Sequence, residues 1–201
     1  MNMKVTPVFS KVIYEKQLDL NTKNIISLID VARKPYAETQ QFNRKDLYVL
    51  ETEKFKFLEN IILDEFRNFS EEVLKYTNDF KITTSWFTVV DKEKEGQIHS
   101  HHNCMYSGVL YLQVNDDTGN IVFTDFNDKR NNVIPSEYNI FNSREWRFTP
   151  TNGLLLFFPS EMYHSIEKNQ SNMARHSLAF NIIPIGVYGD GDSHYESKET
   201  L

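Results

Sequence analysis

Apolar positions along the chain follow two different periods. Between residues 52 and 76 they recur every three or four positions: Phe55, Leu58, Ile62, Phe66, Phe69 and Val73 form one stripe. That spacing predicts a long helix, Thr52 to Tyr76, lying with this stripe along the outside of a sheet. An earlier stretch, NTKNIISLIDVARKP, predicts a shorter helix. Asn21 or Thr22 can cap it, Ile25, Leu28, Ile29 and Ala32 share a face, and Pro35 follows its end. Residues 35–50 read as loop. Before them VTPVFSKVIY (5–14) reads as a short strand, at a sheet edge because Pro7 has no N–H for a ladder.

From Lys81 the texture changes. KITTSWFTVV, SGVLYLQV, NIVFTDF, EWRFTP, GLLLFFP and RHSLAFNII are short, β-branched or aromatic, and separated by polar loops. Six or more such strands predict a sandwich or a double-sheet jelly roll. The expected order is helices first, then an all-β body over about 81–186, in one domain spanning 1–186. The remainder, 187–201, is rich in Gly, Asp and Ser and predicts a flexible tail.

Composition narrows the function classes. A length of 201 residues with 40% hydrophobic content suits a single core. A formal net charge of −6 argues against general nucleic-acid binding, which needs a basic surface. No stretch reaches membrane-spanning length and no signal-peptide pattern opens the chain. Cys104 is the only cysteine, which excludes an internal disulfide and predicts a cytoplasmic protein.

Chemistry concentrates in IHSHHNC, residues 98–104, which holds three of the six histidines. His99 and His101 are two apart, so extended backbone points both to one side and His102 to the other. Two imidazoles on one side of a strand end can hold a metal ion; a solvated loop or core histidines are the alternatives. The candidate third ligand is His164, at the start of the strand after GLLLFFPSEM. A core histidine bonded to backbone is its bland reading. Arg175 follows eleven residues later. Along its strand Arg175, Ser177, Ala179 and Asn181 share one face, and His176, Leu178, Phe180 and Ile182 the other. A buried guanidinium needs a carboxylate or phosphate, from a ligand or from an internal acid such as Glu161 or Glu167.

The ordered set HSHHNCMYSGVLY, GNIVF, PTNGLLLFFPSEMYHSI and RHSLAFN resembles the Fe(II)- and 2-oxoglutarate-dependent oxygenase superfamily. It is most similar to the group of such oxygenases from bacteria and T4-like phages. The resemblance spans about residues 82–184. It implies a double-stranded β-helix (jelly roll) with helices packed on one sheet. It also implies iron held by a His-x-Asp/Glu motif and a distal histidine, with an arginine beyond that histidine gripping 2-oxoglutarate. Carried over, His99 and His164 are metal ligands and Arg175 is the cosubstrate clamp. Ser107, Tyr111 and Asn181 could hydrogen-bond 2-oxoglutarate or make routine interior hydrogen bonds. The first motif departs from the family, since His101 stands where the acid belongs. Either His101 is the third ligand, or a water, a chloride or a more distant acid completes the site. If no bulge breaks the alternation, Asn103, Met105, Ser107 and Tyr111 face the same side as His99 and His101. Trp86, Tyr106, Phe123 and Trp146 are candidates for the wall of a substrate pocket, or plain core.

The expected activity is a dioxygenase that uses O2 to hydroxylate an unidentified substrate, releasing succinate and CO2, with ascorbate as a supporting reductant. A phage-encoded copy would work in the host cytoplasm. A cupin-like metal dioxygenase needing no keto acid is one alternative, and a non-catalytic jelly-roll binding module another. Exposed edge strands and the long helix allow a homodimer.

Overall fold

The computed structural model describes residues 3–20, 47–127 and 133–197. The helix expected at 21–35 and most of the following loop lie outside them. The described residues form eleven strands: β1 (Tyr14–Gln17), β2 (Phe80–Val90), β3 (Gly96–His99), β4 (Tyr106–Gln113), β5 (Ile121–Thr124), β6 (Glu145–Phe148), β7 (Leu154–Pro159), β8 (Tyr163–Ile166), β9 (Arg175–Pro184), β10 (Gly186–Tyr188) and β11 (Tyr195–Ser197). Two antiparallel sheets face each other, β1-β7-β4-β9-β2 and β3-β8-β5-β6, making a jelly roll.

Helix α1 (Lys56–Phe69) covers the outer face of the five-stranded sheet. Alternation along three central strands produces this face. Leu110 of β4, Leu155 and Phe157 of β7, and Leu178, Phe180 and Ile182 of β9 meet Leu58, Ile62, Phe66 and Phe69 of the helix. Each such buried side chain contributes about 1.5–3 kcal/mol. Gly108 interrupts the row on β4, because a methyl there would overlap the Phe180 ring and the Leu156 carbonyl. The opposite residues of the same strands, Val109, Tyr111, Leu154, Leu156 and Phe158, form the inner core with Ile121 and Phe123 of β5.

Several expectations shift. The N-terminal strand forms at Tyr14–Gln17, beyond most of the expected 5–14 segment, and pairs with β7 at the sheet edge. The long helix is α-helical only to Phe69 and ends in a π-helical turn, Ser70–Leu74. A π turn lags the α phase, which rotates Val73 off the apolar stripe and leaves it 54% exposed. Within the expected tail, β10 and β11 pair as a hairpin. Among the described residues, no helix is long and apolar enough to cross a membrane.

Candidate metal centre

β3 and β8 are hydrogen-bonded neighbours, and their register sets His99 directly opposite His164. His101 lies just beyond β3, where the chain crosses from one sheet to the other. Three bonds hold this crossing. The His101 N–H donates to the Ser160 carbonyl (2.9 Å), the Ser160 N–H to the Met105 carbonyl (3.1 Å), and the Met105 N–H to the Ile182 carbonyl (2.9 Å). Asn103 turns the corner with φ of 59°, a left-handed conformation that asparagine tolerates. The extended alternation therefore breaks: Met105 packs on the helix side, while Ser107 and Tyr111 point between the sheets.

The three rings converge. Centroids of His99 and His164 are 4.5 Å apart, His99 and His101 5.0 Å, and His101 and His164 5.1 Å. One ligand nitrogen from each lies within 4.8 Å of the others, which gathers them about one ion position. Hydrogen bonds fix the tautomers of two rings. His99 Nδ1 meets the Gln97 carbonyl at 2.8 Å and His164 Nδ1 the Met162 carbonyl at 3.0 Å. A carbonyl only accepts, so Nδ1 carries the proton in both rings and Nε2 keeps its lone pair for a metal. Burial, then the neighbouring imidazoles, holds His101 at a pKa of about 3. Burial, assisted by His99 and opposed by the Met162 carbonyl, holds His164 at about 4. Both are neutral at pH 7, the form that binds metal. His102 is exposed, and His176 sits on the far face of β9.

From the triad a cavity of about 760 Å³ runs inward between the sheets, with Trp86, Tyr111, Arg175 and Asn181 among its lining. Arg175 is only 1% exposed. Its Nη1 donates to Ser177 Oγ at 3.3 Å, its guanidinium lies 4.9 Å from the Tyr111 ring centroid, and its Nε has no partner among the described residues. The acids considered above are committed elsewhere, Glu161 to Lys11 and Glu167 to Arg147, each at 3.0 Å. Tyr111 Oη is also buried, beside Arg175 and with no acceptor among the described residues, and burial, against the charge and hydrogen bonding of Arg175, raises its pKa. Two adjacent buried groups, one cationic, that keep hydrogen-bond donors without an acceptor among the described residues suit an anion.

Ser107 and Asn181 have partners. Ser107 Oγ donates to Asn181 Oδ1 (2.8 Å) and lies 2.8 Å from Ser160 Oγ, while Asn181 Nδ2 donates to Thr84 Oγ1 (3.0 Å). This chain ties β2, β9 and β4 to the turn that holds His101. Ser160, whose N–H, carbonyl and hydroxyl all engage the His101–Ser107 stretch, is the junction that sequence reasoning missed. Its only signal was the polar turn PSE ahead of His164. Of the four aromatic candidates, Trp86 sits 5.5 Å from His101 and Phe123 6.0 Å from His164. Tyr106 points into the helix-side core, and Trp146 lies at the rim of a separate cavity.

Residues 84–181 match the family model described as "Putative 2OG-Fe(II) oxygenase". This segment belongs to the 2OG-Fe(II) oxygenase family. The cofactors of that family are Fe(II) and 2-oxoglutarate, and the three imidazoles and the unpaired Arg175 suit them. The oxygenase fold extends beyond the matched segment. A Pseudomonas putida prolyl-4-hydroxylase structure is similar over 87% of this chain and 88% of its own, with a TM-score of 0.57 and 17% identity. The non-heme α-ketoglutarate-dependent carbocyclase SnoK from nogalamycin biosynthesis is similar over 90% and 83%, at 0.60 and 11%. HygX from Streptomyces hygroscopicus, solved with nickel and 2-oxoglutarate bound, is similar over 86% and 81%, at 0.58 and 10%. Among curated proteins none matches.

Proposed function

We propose that this oxygenase is an Fe(II)- and 2-oxoglutarate-dependent dioxygenase that hydroxylates its substrate and releases succinate and CO2. The observation that carries the reading is one cavity with three convergent imidazoles at its mouth and, in its wall, a buried guanidinium that meets no acid among the described residues. His99, His101 and His164 would hold the metal. Three neutral ligands leave an Fe(II) site one charge more positive than two histidines and an acid, and a dianionic cosubstrate offsets that charge. When bound, iron with 2-oxoglutarate and O2 supplies the oxidation, splitting the keto acid while one oxygen atom enters the substrate.

The chain's own residues bind, orient and exclude water. Arg175 would take the distal carboxylate of 2-oxoglutarate in charge-assisted hydrogen bonds, with Tyr111 Oη donating beside it. The Nδ1 contacts of His99 and His164 fix which nitrogen each ring presents. The Ser160–Ser107–Asn181–Thr84 chain acts as scaffolding for His101 in this reading. Phe158, 4.8 Å from the His164 ring, and Phe123 keep water off the inner side of the metal position. A cytoplasmic setting accords with the lone Cys104.

Titration of the Fe(II)-loaded protein with 2-oxoglutarate under argon tests the assignment. A visible charge-transfer band should grow with the keto acid, and admitting air should yield succinate. Iron binding without the band would favour direct substrate oxidation at a cupin-like site. A protein that takes up no iron would favour a binding module.

A further inference from the structure

We propose that β6 is the interface of a symmetric homodimer, in which the strand pairs antiparallel with β6 of a second copy. β6 ends the four-stranded sheet, and beyond its ladder with β5 its backbone meets no other described residue. An edge of this kind recruits another strand unless it is blunted.

Large apolar residues flank this edge on both faces. On the inner side Phe9, Phe126 and Ile140 line one cavity with Trp146, and Phe9 is fully exposed. On the outer side Val133, Ile134 and Tyr138 lie beside Glu145 and Arg147, with Val133 80% and Ile134 88% exposed. Exposed large apolar residues gathered at one sheet edge suit an interaction site.

The sequence of the edge selects its partner. Glu145 and Arg147 project to the outer face and Trp146 and Phe148 to the inner. Twofold pairing must set inner residues opposite inner ones, since a one-residue slip inverts the faces. A twofold centred on Glu145 opposes two carboxylates, and one centred on Arg147 opposes two guanidiniums. Centred on Trp146, it sets Glu145 opposite Arg147 of the second copy, twice, with the two Trp146 rings face to face across the axis. The edge is therefore self-complementary in charge, as an isologous interface requires. Within its own chain Arg147 bonds both Glu145 (2.7 Å) and Glu167 (3.0 Å), and the dimer exchanges the first of these bonds across the axis while the second can stay.

Sedimentation velocity of the full chain over roughly 1–100 µM tests this. The expected result is a concentration-dependent shift from 23.7 kDa to twice that mass, unchanged by EDTA. Glu145→Arg and Arg147→Glu should each weaken the dimer at least about tenfold. Mixed in equal amounts, the two variants should dimerise again, because each then faces the opposite charge. A wild type that stays monomeric, a single reversal that dimerises as before, or a mixture that stays monomeric would overturn the proposal. Melting temperatures check that the variants fold. If a reversal unfolds the chain, Trp146→Ser removes the ring at the axis, leaves the charges in place, and should also give a monomer. The outcome is independent of the metal reading.

Discussion

Arg175 should be a cost to the free protein and an asset to the complex, and replacing it with methionine separates the two. At 1% exposure the guanidinium has lost its hydration, at a penalty of several kcal/mol. Opposing that are the Tyr111 ring, about 2 kcal/mol for a desolvated cation–π contact, and one long hydrogen bond to Ser177, about 1.5 kcal/mol. These and hydrogen bonding with Tyr111 offset the penalty only in part, since Nε meets no partner among the described residues. Arg175→Met, similar in length and uncharged, should therefore melt about 2–8 °C higher, taking a net gain of about 1–2 kcal/mol. Cosubstrate binding should move the other way. Truncating one side of a buried charged pair costs about 2–5 kcal/mol, which is about thirty-fold to a few thousand-fold in Kd. Calorimetric titration with Mn(II) in place of iron, together with thermal melts with and without 2-oxoglutarate, measures both. A variant that binds 2-oxoglutarate like the wild type refutes the clamp. One that melts several degrees lower refutes the claim that the cation is unpaid in the free state.

His101→Ala should lower metal affinity more than about tenfold in a Co(II) titration, whereas His101→Asp should keep it; equal binding by the alanine variant would remove His101 from the ligand set. Ser107→Ala strips partners from Ser160 and Asn181, at about 1–3 kcal/mol, and should alter the Co(II) spectrum as well as the melting temperature. The metal-free protein should lose stability as pH falls. The unfolded chain takes up protons below about 6.5 while folded His164 resists until about 4, so up to about 3 kcal/mol disappears between those values and none above them. Urea melts in EDTA at pH 7.5 and 4.5 should show this, and His164→Gln should shrink the difference.

How far the sequence could be read depended on how regular the backbone is. Along β9 the alternation is unbroken at Arg175, Ser177 and Asn181, so parity alone assigned the polar residues to the interior. His164 was legible because an apolar strand and a short turn precede it. Elsewhere local events hid the outcome. β3 is four residues at the end of a charged run, with too few apolar positions to show a period. Asn103 breaks the alternation through its own φ, which shifted the expected facing of Met105. The π-helical turn altered the phase at Val73. That Ser107 and Asn181 bond each other depends on β4–β9 register, which no single strand specifies.

Helix α1 has a consequence for how this molecule could change over time. The bulkiest aromatic cluster, centred on Phe66 with Phe80, Tyr106 and Phe157 around it, lies outside the barrel, between helix and sheet. Cohesion is supplied from the exterior. The lumen is thereby relieved of the need to be uniformly oily, and its polar occupants can be exchanged for others suited to a new reactant while the shell stays assembled.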